Sequence, residues 1–233
     1  MKRREMKRRG SKIHLFIKTL TAFLCGLLIT GAMLFVPAGT LDYPGAWLFM
    51  ALLFTPILIM GVVLMIKNPE LLRKRLEMKE REKEQKGVVA LSGLLLVASF
   101  IVAGLDYRFG WSHVSNLLVI ISSVVLLVGY ALYAEVLREN VYLSRVVEVQ
   151  EGQRVIDTGL YGIVRHPMYF AVTLLYLAIP LVLGSWWALL VMSPCVLLLA
   201  LRIKNEEQVL HQGLPGYTDY TGRVRYRMIP WVW

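Results

Sequence analysis

Long apolar runs separated by short polar segments dominate the pattern along the chain. Four runs are long enough to cross the hydrocarbon core of a bilayer, which takes about 20 helical residues. They extend over about Ile13 to Val36, Ala46 to Ile66, Val88 to Leu105 and Val114 to Leu137. Because backbone polar groups in lipid must be hydrogen-bonded within their own segment, each run predicts a transmembrane helix.

Two shorter apolar stretches follow, and only a Gly-Ser pair separates them. They extend over about Pro167 to Leu183 and Trp186 to Leu201. At about 1.5 Å per residue each covers roughly 25 Å, against a hydrocarbon core of about 30 Å. The pattern predicts a tight helical hairpin that barely crosses the bilayer or is sheltered by the other helices. Pro180 and Pro194 predict kinks in its two arms.

Composition points to the same class of protein. Of the 233 residues, 57% are hydrophobic and 18% are charged, which is too apolar for a water-soluble domain of this length. The chain is therefore predicted to be an all-α, polytopic membrane protein. Its N-terminal helices occupy residues 1–137, with a charged loop at about 67–87, and residues 138–233 form a C-terminal region that contains the hairpin, 167–201. The basic start resembles a signal peptide, but without a convincing cleavage site it predicts a retained first helix.

The basic residues predict the orientation in the membrane. Eight Lys and Arg precede the core of the first helix and eight more lie in the charged loop, whereas Arg108 stands alone on the opposite side. Cytosolic loops carry such an excess. Both termini and the segment after the fourth helix are expected to face the cytosol, in the plasma membrane of a prokaryote or the endoplasmic reticulum of a eukaryote. A bilayer thus explains the net charge of +10, and no nucleic-acid partner is expected.

Residue types argue against several other kinds of site. Cys25 and Cys195 both lie in apolar stretches, which leaves no disulfide framework. His14, His113 and His211 have no spacing that suits a metal, so no metal is expected. The sequence contains no Walker loop, nucleophile elbow or soluble dinucleotide fingerprint.

Polar residues concentrate on the two sides of the hairpin, in EGQRVIDTGLYGIVRHPMY before it and LRIKNEEQVLHQGLPGYTDYTGRVRYRMIPWVW after it. A hairpin returns the chain to the membrane face it left, so residues 165–169 and 202–207 are expected to form one cleft. Pro167 suits the first turn of a helix and puts His166 at its cap, where N–H groups and the helix dipole favour an anion. A basic pair with interfacial tyrosines is the structural alternative.

Charged residues at the second side of the hairpin are candidates for chemistry. Arg202 and Glu206 are four positions apart and share a helix face, while Glu207 points elsewhere. An interfacial salt bridge would explain them structurally. A charge at the edge of an apolar hairpin is costly unless it is paired or used, which makes all three candidate catalytic residues. Asp106 and Glu135, near helix ends, are expected to be solvated or to snorkel.

Four motifs in this order resemble the isoprenylcysteine carboxyl methyltransferases and the related phospholipid N-methyltransferases. They are DTGLYGIVRHPMY, the R-x-x-x-E-E of LRIKNEE, GYTDY and the closing RVRYRMIPW, and they cover roughly residues 138–233. The resemblance implies an integral membrane methyltransferase that takes S-adenosylmethionine from the cytosol and leaves S-adenosylhomocysteine as product. Its acceptor would be a membrane lipid or a prenylated amphiphile that enters from the bilayer.

The resemblance also implies roles for individual residues. Glu206 would bind the cofactor and Arg202 would contact the acceptor. The family has a His at the position of Gln153, so this chain departs from the pattern there, although Gln153 keeps its place among the cofactor contacts. The other residues carried over as cofactor contacts are Val155, Ile156, Tyr161, His166, Pro167, Met168 and Tyr169.

These residue types suit methyl transfer chemically. The cofactor is a sulfonium cation with an amino-acid tail, which calls for carboxylates, aromatic surface and an anion-friendly helix start. An ionised carboxylate acceptor already has a free lone pair, and Arg202 could hold it through two donors. An amine acceptor would first have to lose a proton, with Glu206 or Glu207 as the base. Carboxyl O-methyl transfer is therefore favoured over N-methyl transfer.

Two other classes stay open. Sterol and steroid reductases carry a similar hairpin and use NADPH, but their pattern usually reads R-H-P-N-Y followed by Gly-Glu, whereas here Met168, Phe170 and Ala171 take those places. A membrane scaffold or transporter subunit, anchored by its polar hairpin, is the non-enzymatic alternative. A transporter would be expected to show repeated halves or ionisable residues deep in several helices. The sequence fixes neither the acceptor nor the oligomeric state.

Overall fold

The computed structural model describes residues 2–76, 83–143 and 149–233. Throughout these ranges regular structure is helical and no strand occurs. The helices, in chain order, are α1 (Lys2–Ala38), α2 (Pro44–Lys67), α3 (Pro69–Leu76), α4 (Lys83–Phe109), α5 (Asn116–Glu139), α6 (Pro167–Val182), α7 (Trp186–Met192), α8 (Pro194–Gly213) and α9 (Tyr217–Arg223). A short 3-10 turn, Gly159–Gly162, precedes α6.

Five helical segments within the described residues are long and apolar enough to cross a membrane. They are His14–Ala38, Pro44–Lys67, Lys86–Phe109, Asn116–Glu139 and Trp186–Gly213. The first four correspond to the four predicted transmembrane helices. The predicted all-α, polytopic architecture is therefore confirmed. The charged loop is partly helical, through α3 and the start of α4, and residues 77–82 of it lie outside the described ranges.

The second arm of the hairpin extends well beyond its apolar stretch. Its helix continues past the apolar stretch to Gly213, so it includes Arg202 and Glu206, which were predicted to share a helix face. Within this polar extension both side chains form hydrogen bonds to Tyr169 of α6. Pro194 lies at the break between α7 and α8, and Pro180 lies inside α6, as the predicted kinks require. The first arm, α6, has only 16 residues.

The hairpin turn contacts the C-terminal end of α4 and the loop that leads into α5. The Ser185 hydroxyl donates a hydrogen bond to the Asp106 carboxylate at the end of α4. The backbone N–H of Trp186 donates to Ser112 Oγ at 3.1 Å, and its indole N–H donates to the His113 carbonyl at 3.2 Å. The hairpin turn therefore lies beside the loop that connects α4 and α5, while the two ends of the hairpin meet at the polar segments.

Asp106 is buried, so the expectation that its side chain is solvated or snorkels is wrong. Its side chain is 1% exposed, and it accepts hydrogen bonds from Ser112 N–H at 2.7 Å, from the Ser112 hydroxyl at 2.5 Å and from Ser185. A buried carboxylate is tolerated when donors surround it in this way. Glu135 differs, because it is well exposed and pairs with Arg138 at 2.5 Å.

The apolar core lies where α1, α2, α4 and the hairpin meet. Leu34, Phe49, Ala103 and Val182, one from each of these elements, are fully buried there. Close helix contact depends on small residues, because a Cβ on Gly129 of α5 would lie 2.8 Å from a methyl group of α6. The outward faces of the long helices are also rich in large apolar side chains, as lipid contact requires.

Candidate active site

The two polar segments that flank the hairpin lie side by side. Tyr169 near the start of α6 and Arg202 and Glu206 of α8 form a chain of hydrogen bonds. The Tyr169 hydroxyl accepts from Arg202 Nε at 2.9 Å and donates to Glu206 Oε2 at 2.5 Å. The predicted cleft between residues 165–169 and 202–207 is confirmed by these contacts.

The start of α6 is fixed by its own sequence and by contacts with the C-terminal tail. His166 is the residue that precedes the helix and Pro167 is its first residue, as predicted from the sequence. The backbone N–H groups of Arg165 and His166 donate to the carbonyls of Tyr226 and Arg227, at 2.9 and 2.7 Å. The C-terminal tail therefore fixes the start of α6 through main-chain hydrogen bonds.

Glu207 is a buried anchor in this arrangement. It is 5% exposed, and its carboxylate accepts from Arg165 Nε and from Arg227 Nε, both at 2.7 Å. Its Oε1 also lies 3.3 Å from His166 Nε2. A carboxylate buried without partners would be very costly, so these two guanidinium groups explain how it is tolerated. The result is a cross-link between α8, the start of α6 and the tail.

A pocket opens beside this cross-link. It encloses about 840 Å³ of empty space, counting its open mouth, and Arg202 contributes to its wall. Two predicted site residues do not line the pocket. They are Pro167, a predicted cofactor contact, and Glu207, a predicted catalytic residue. All the other predicted cofactor contacts line the pocket, namely Gln153, Val155, Ile156, Tyr161, His166, Met168, Tyr169 and Glu206.

Residues 111–214 match the phospholipid methyltransferase family. The matched range begins just before α5 and ends just after α8, so it contains the hairpin and most of the pocket wall. The resemblance to this group of membrane methyltransferases is confirmed by the match. A search of curated proteins gave no match. Together with the apolar helices, the phospholipid methyltransferase match supports a membrane methyltransferase.

The structure adds lining residues outside the predicted set. They are Asn140, Tyr142, Leu143, Arg154, Arg165, Leu210, Leu214, Tyr217 and Tyr220. The two tyrosines of GYTDY are three positions apart and share one face of α9, so helical spacing could have identified them. The residues after α5 carried no such signal, because only tertiary packing brings that loop to the pocket.

Tyr161 joins the loop after α5 to the rest of the site. Its hydroxyl accepts a hydrogen bond from Asn140 Nδ2 at 2.9 Å, and its carbonyl accepts one from the Tyr220 hydroxyl at 2.7 Å. Burial raises the pKa of Tyr161 to about 12, so the phenol is neutral at physiological pH. The preceding Gly159 has φ +50° and leaves no room for a Cβ beside the Glu139 carboxylate.

None of the described residues form a group of three or more His, Cys, Asp or Glu side chains that could hold a metal ion. The lining of the pocket includes arginines, tyrosines, the imidazole of His166 and one carboxylate, that of Glu206. Such groups can bind a zwitterionic ligand and orient it, which is what methyl transfer requires of a protein.

Proposed function

We propose that the protein is an S-adenosylmethionine-dependent methyltransferase that acts on a lipidic or prenylated amphiphilic acceptor. The observation that carries this proposal is the pocket itself, which gathers every predicted cofactor contact except Pro167 around one opening. The phospholipid methyltransferase match over the same region supports it. S-adenosylmethionine, when bound, supplies an electrophilic methyl group, and the protein contributes binding, orientation and exclusion of water.

Glu206 is the proposed partner of the cofactor's positive charge. Its side chain is 25% exposed and lines the pocket, while Tyr169 holds one of its oxygens. His166 Nδ1 lies 3.9 Å from the other oxygen. A carboxylate that a tyrosine hydroxyl holds in place, within a wall of aromatic side chains, suits a sulfonium or ammonium group. Tyr169 thus positions Glu206 and Arg202 together, since one hydroxyl bonds to both.

Carboxyl O-methyl transfer remains the favoured reaction. Arg202 lines the pocket one helical turn before Glu206, and a guanidinium suits an acceptor carboxylate, which needs no deprotonation. An amine acceptor would need a base, and Glu207 is poorly placed for that role because two arginines hold it outside the pocket lining. Glu206 would be left as the base. We therefore propose Glu207 as a positioning residue.

Calorimetric titration of the detergent-purified protein tests the cofactor. We expect micromolar binding of S-adenosylhomocysteine to the wild type and at least a tenfold loss in Glu206→Gln, since an interaction with a charged group is worth about 1.5–3 kcal/mol. Glu151→Gln makes the same charge change at an exposed position outside the pocket lining and should bind normally. Binding of NADPH instead of S-adenosylhomocysteine would overturn the proposal in favour of a reductase.

The bond formed can be distinguished by its lability. Membranes that contain the enzyme are incubated with S-adenosylmethionine labelled in the methyl group, and the lipid product is treated with base. A methyl ester releases volatile labelled methanol, whereas an N-methyl group stays with the lipid. Release of the label supports carboxyl transfer, and its retention would show N-methyl transfer.

A further inference from the structure

Tyr217 carries a buried hydroxyl whose hydrogen bonds are not made within the protein. It is the first residue of α9, it is 4% exposed, and it lines the pocket. In the described part of the chain its hydroxyl oxygen is the one buried side-chain polar atom without a hydrogen-bond partner. Burying a hydroxyl unpaired is unfavourable, and such groups are rare in folded proteins. At a pocket wall, this points to a partner on the ligand.

The neighbouring tyrosine shows that the arrangement is particular to position 217. Tyr220 also lines the pocket, and the two rings lie 5.7 Å apart. The Tyr220 hydroxyl nevertheless donates to the Tyr161 carbonyl at 2.7 Å. The two tyrosines of this short helix therefore differ in their hydroxyl groups, since that of Tyr220 has a partner inside the protein and that of Tyr217 has none.

The ring of Tyr217 is held firmly on its sides. It packs with Leu214, Val155 and Leu210 in an apolar cluster, and its ring meets that of His211 edge-on at 4.9 Å. Burial, and then the negative charge of Glu207, raise the pKa of Tyr217 well above its ordinary value. In the pocket wall, Tyr217 therefore carries a neutral hydroxyl group beside apolar side chains, on a ring that its neighbours hold in place.

We propose that the Tyr217 hydroxyl binds the nucleoside half of the cofactor, through a neutral polar atom of its adenine or ribose. The inference rests on the proposed function. The methionine half carries an ammonium and a carboxylate, and the pocket offers Glu206 and Arg154 to such charges. The nucleoside half has a flat apolar surface with neutral donors and acceptors, which match a neutral phenol beside Val155.

Two ligands and two variants test the assignment. S-adenosylhomocysteine contains both halves of the cofactor, whereas 5′-methylthioadenosine lacks the amino acid. The affinity of 5′-methylthioadenosine is measured by its displacement of labelled S-adenosylhomocysteine. We expect Tyr217→Phe to weaken both ligands by the same factor, about three- to tenfold, as for one hydrogen bond. Without ligand its thermal midpoint should not fall, because no internal hydrogen bond is lost. Tyr220→Phe should lower that midpoint, because it loses the bond to Tyr161.

Unchanged affinity of Tyr217→Phe for both ligands would overturn the inference. Weakening of S-adenosylhomocysteine alone, with methylthioadenosine unaffected, would place the hydroxyl elsewhere than on the nucleoside. The proposed function fails separately, if the wild type does not bind S-adenosylhomocysteine at all. If the wild type binds it, Glu206→Gln does not, and Tyr217→Phe binds normally, then only the inference about Tyr217 is refuted.

Discussion

At the scale of single residues, two adjacent carboxylates have opposite surroundings. Glu206 lines the pocket, whereas Glu207 is buried against Arg165 and Arg227. We expect Glu207→Gln to lower the free energy of unfolding by roughly 3–5 kcal/mol, because removal of the carboxylate charge leaves the buried guanidinium of Arg165 uncompensated. Thermal unfolding in detergent, followed by circular dichroism, measures the effect.

The neighbouring position supplies the comparison for that experiment. Glu206→Gln should reduce binding of S-adenosylhomocysteine while leaving the unfolding midpoint nearly unchanged. Asp219→Asn, at an exposed position of α9, makes the same charge change and should leave both unaltered. A wild-type midpoint in Glu207→Gln would contradict its role as an anchor.

Nine of the 18 residues that line the pocket were predicted, Glu206 among them, and the resemblance rather than the residue types alone identified them. Adjacent residues of a helix point about 100° apart, so Glu206 and Glu207 had to differ in direction. Which face meets the pocket depends on Arg227, which is 20 positions further along the chain. Tyr217 was missed for a related reason, since an unpaired hydroxyl can be recognised only when every neighbour is in place.

At the scale of elements, α1 and α4 approach so closely that only glycine fits at one point. A Cβ on Gly104 would lie 2.6 Å from the Leu34 carbonyl oxygen and 3.0 Å from Pro37 Cβ. We expect Gly104→Ala to separate the two helices and lower the unfolding midpoint. Gly93→Ala lies in the same helix with no atom within 4 Å of its Cβ, and should be neutral or stabilising by up to about 1 kcal/mol. Equal midpoints for the two variants would refute the close approach.

Hydropathy predicted the long helices well because their length is set by the bilayer. It did not delimit the second hairpin arm, because the turn around Arg202 and Glu206 is polar yet remains helical. It also assigned Asp106 to solvent, since the burial of that side chain depends on Ser112 and Ser185. Elements that a polar network holds are thus harder to delimit than elements that lipid surrounds.

At the scale of the whole molecule, the arrangement of crossings bears on sidedness. The two hairpin arms extend from the polar segments to the loop between α4 and α5 and back, so they add an even number of crossings to α1, α2, α4 and α5. With the basic residues, this predicts that both ends of the described chain and the pocket face the cytosol.

Reporter fusions in a bacterial host test this orientation. Green fluorescent protein joined after Trp233 should fluoresce, and alkaline phosphatase joined there should be inactive, because the phosphatase needs disulfides that form outside the cytosol. Alkaline phosphatase joined after Gly110 should be active. The reverse pattern would place the pocket on the outer side and remove its access to cytosolic S-adenosylmethionine.

The hydrogen bonds between the C-terminal tail and the start of α6 also have a consequence for biosynthesis. Arg165 and His166 emerge from the ribosome before the hairpin, but the carbonyls that receive their N–H groups, those of Tyr226 and Arg227, emerge only after it. The pocket therefore cannot be completed until both hairpin arms and the tail have been synthesised. A nascent chain that ends before Tyr226 would lack the contacts that fix the start of α6, so the pocket is among the last parts of the molecule to form.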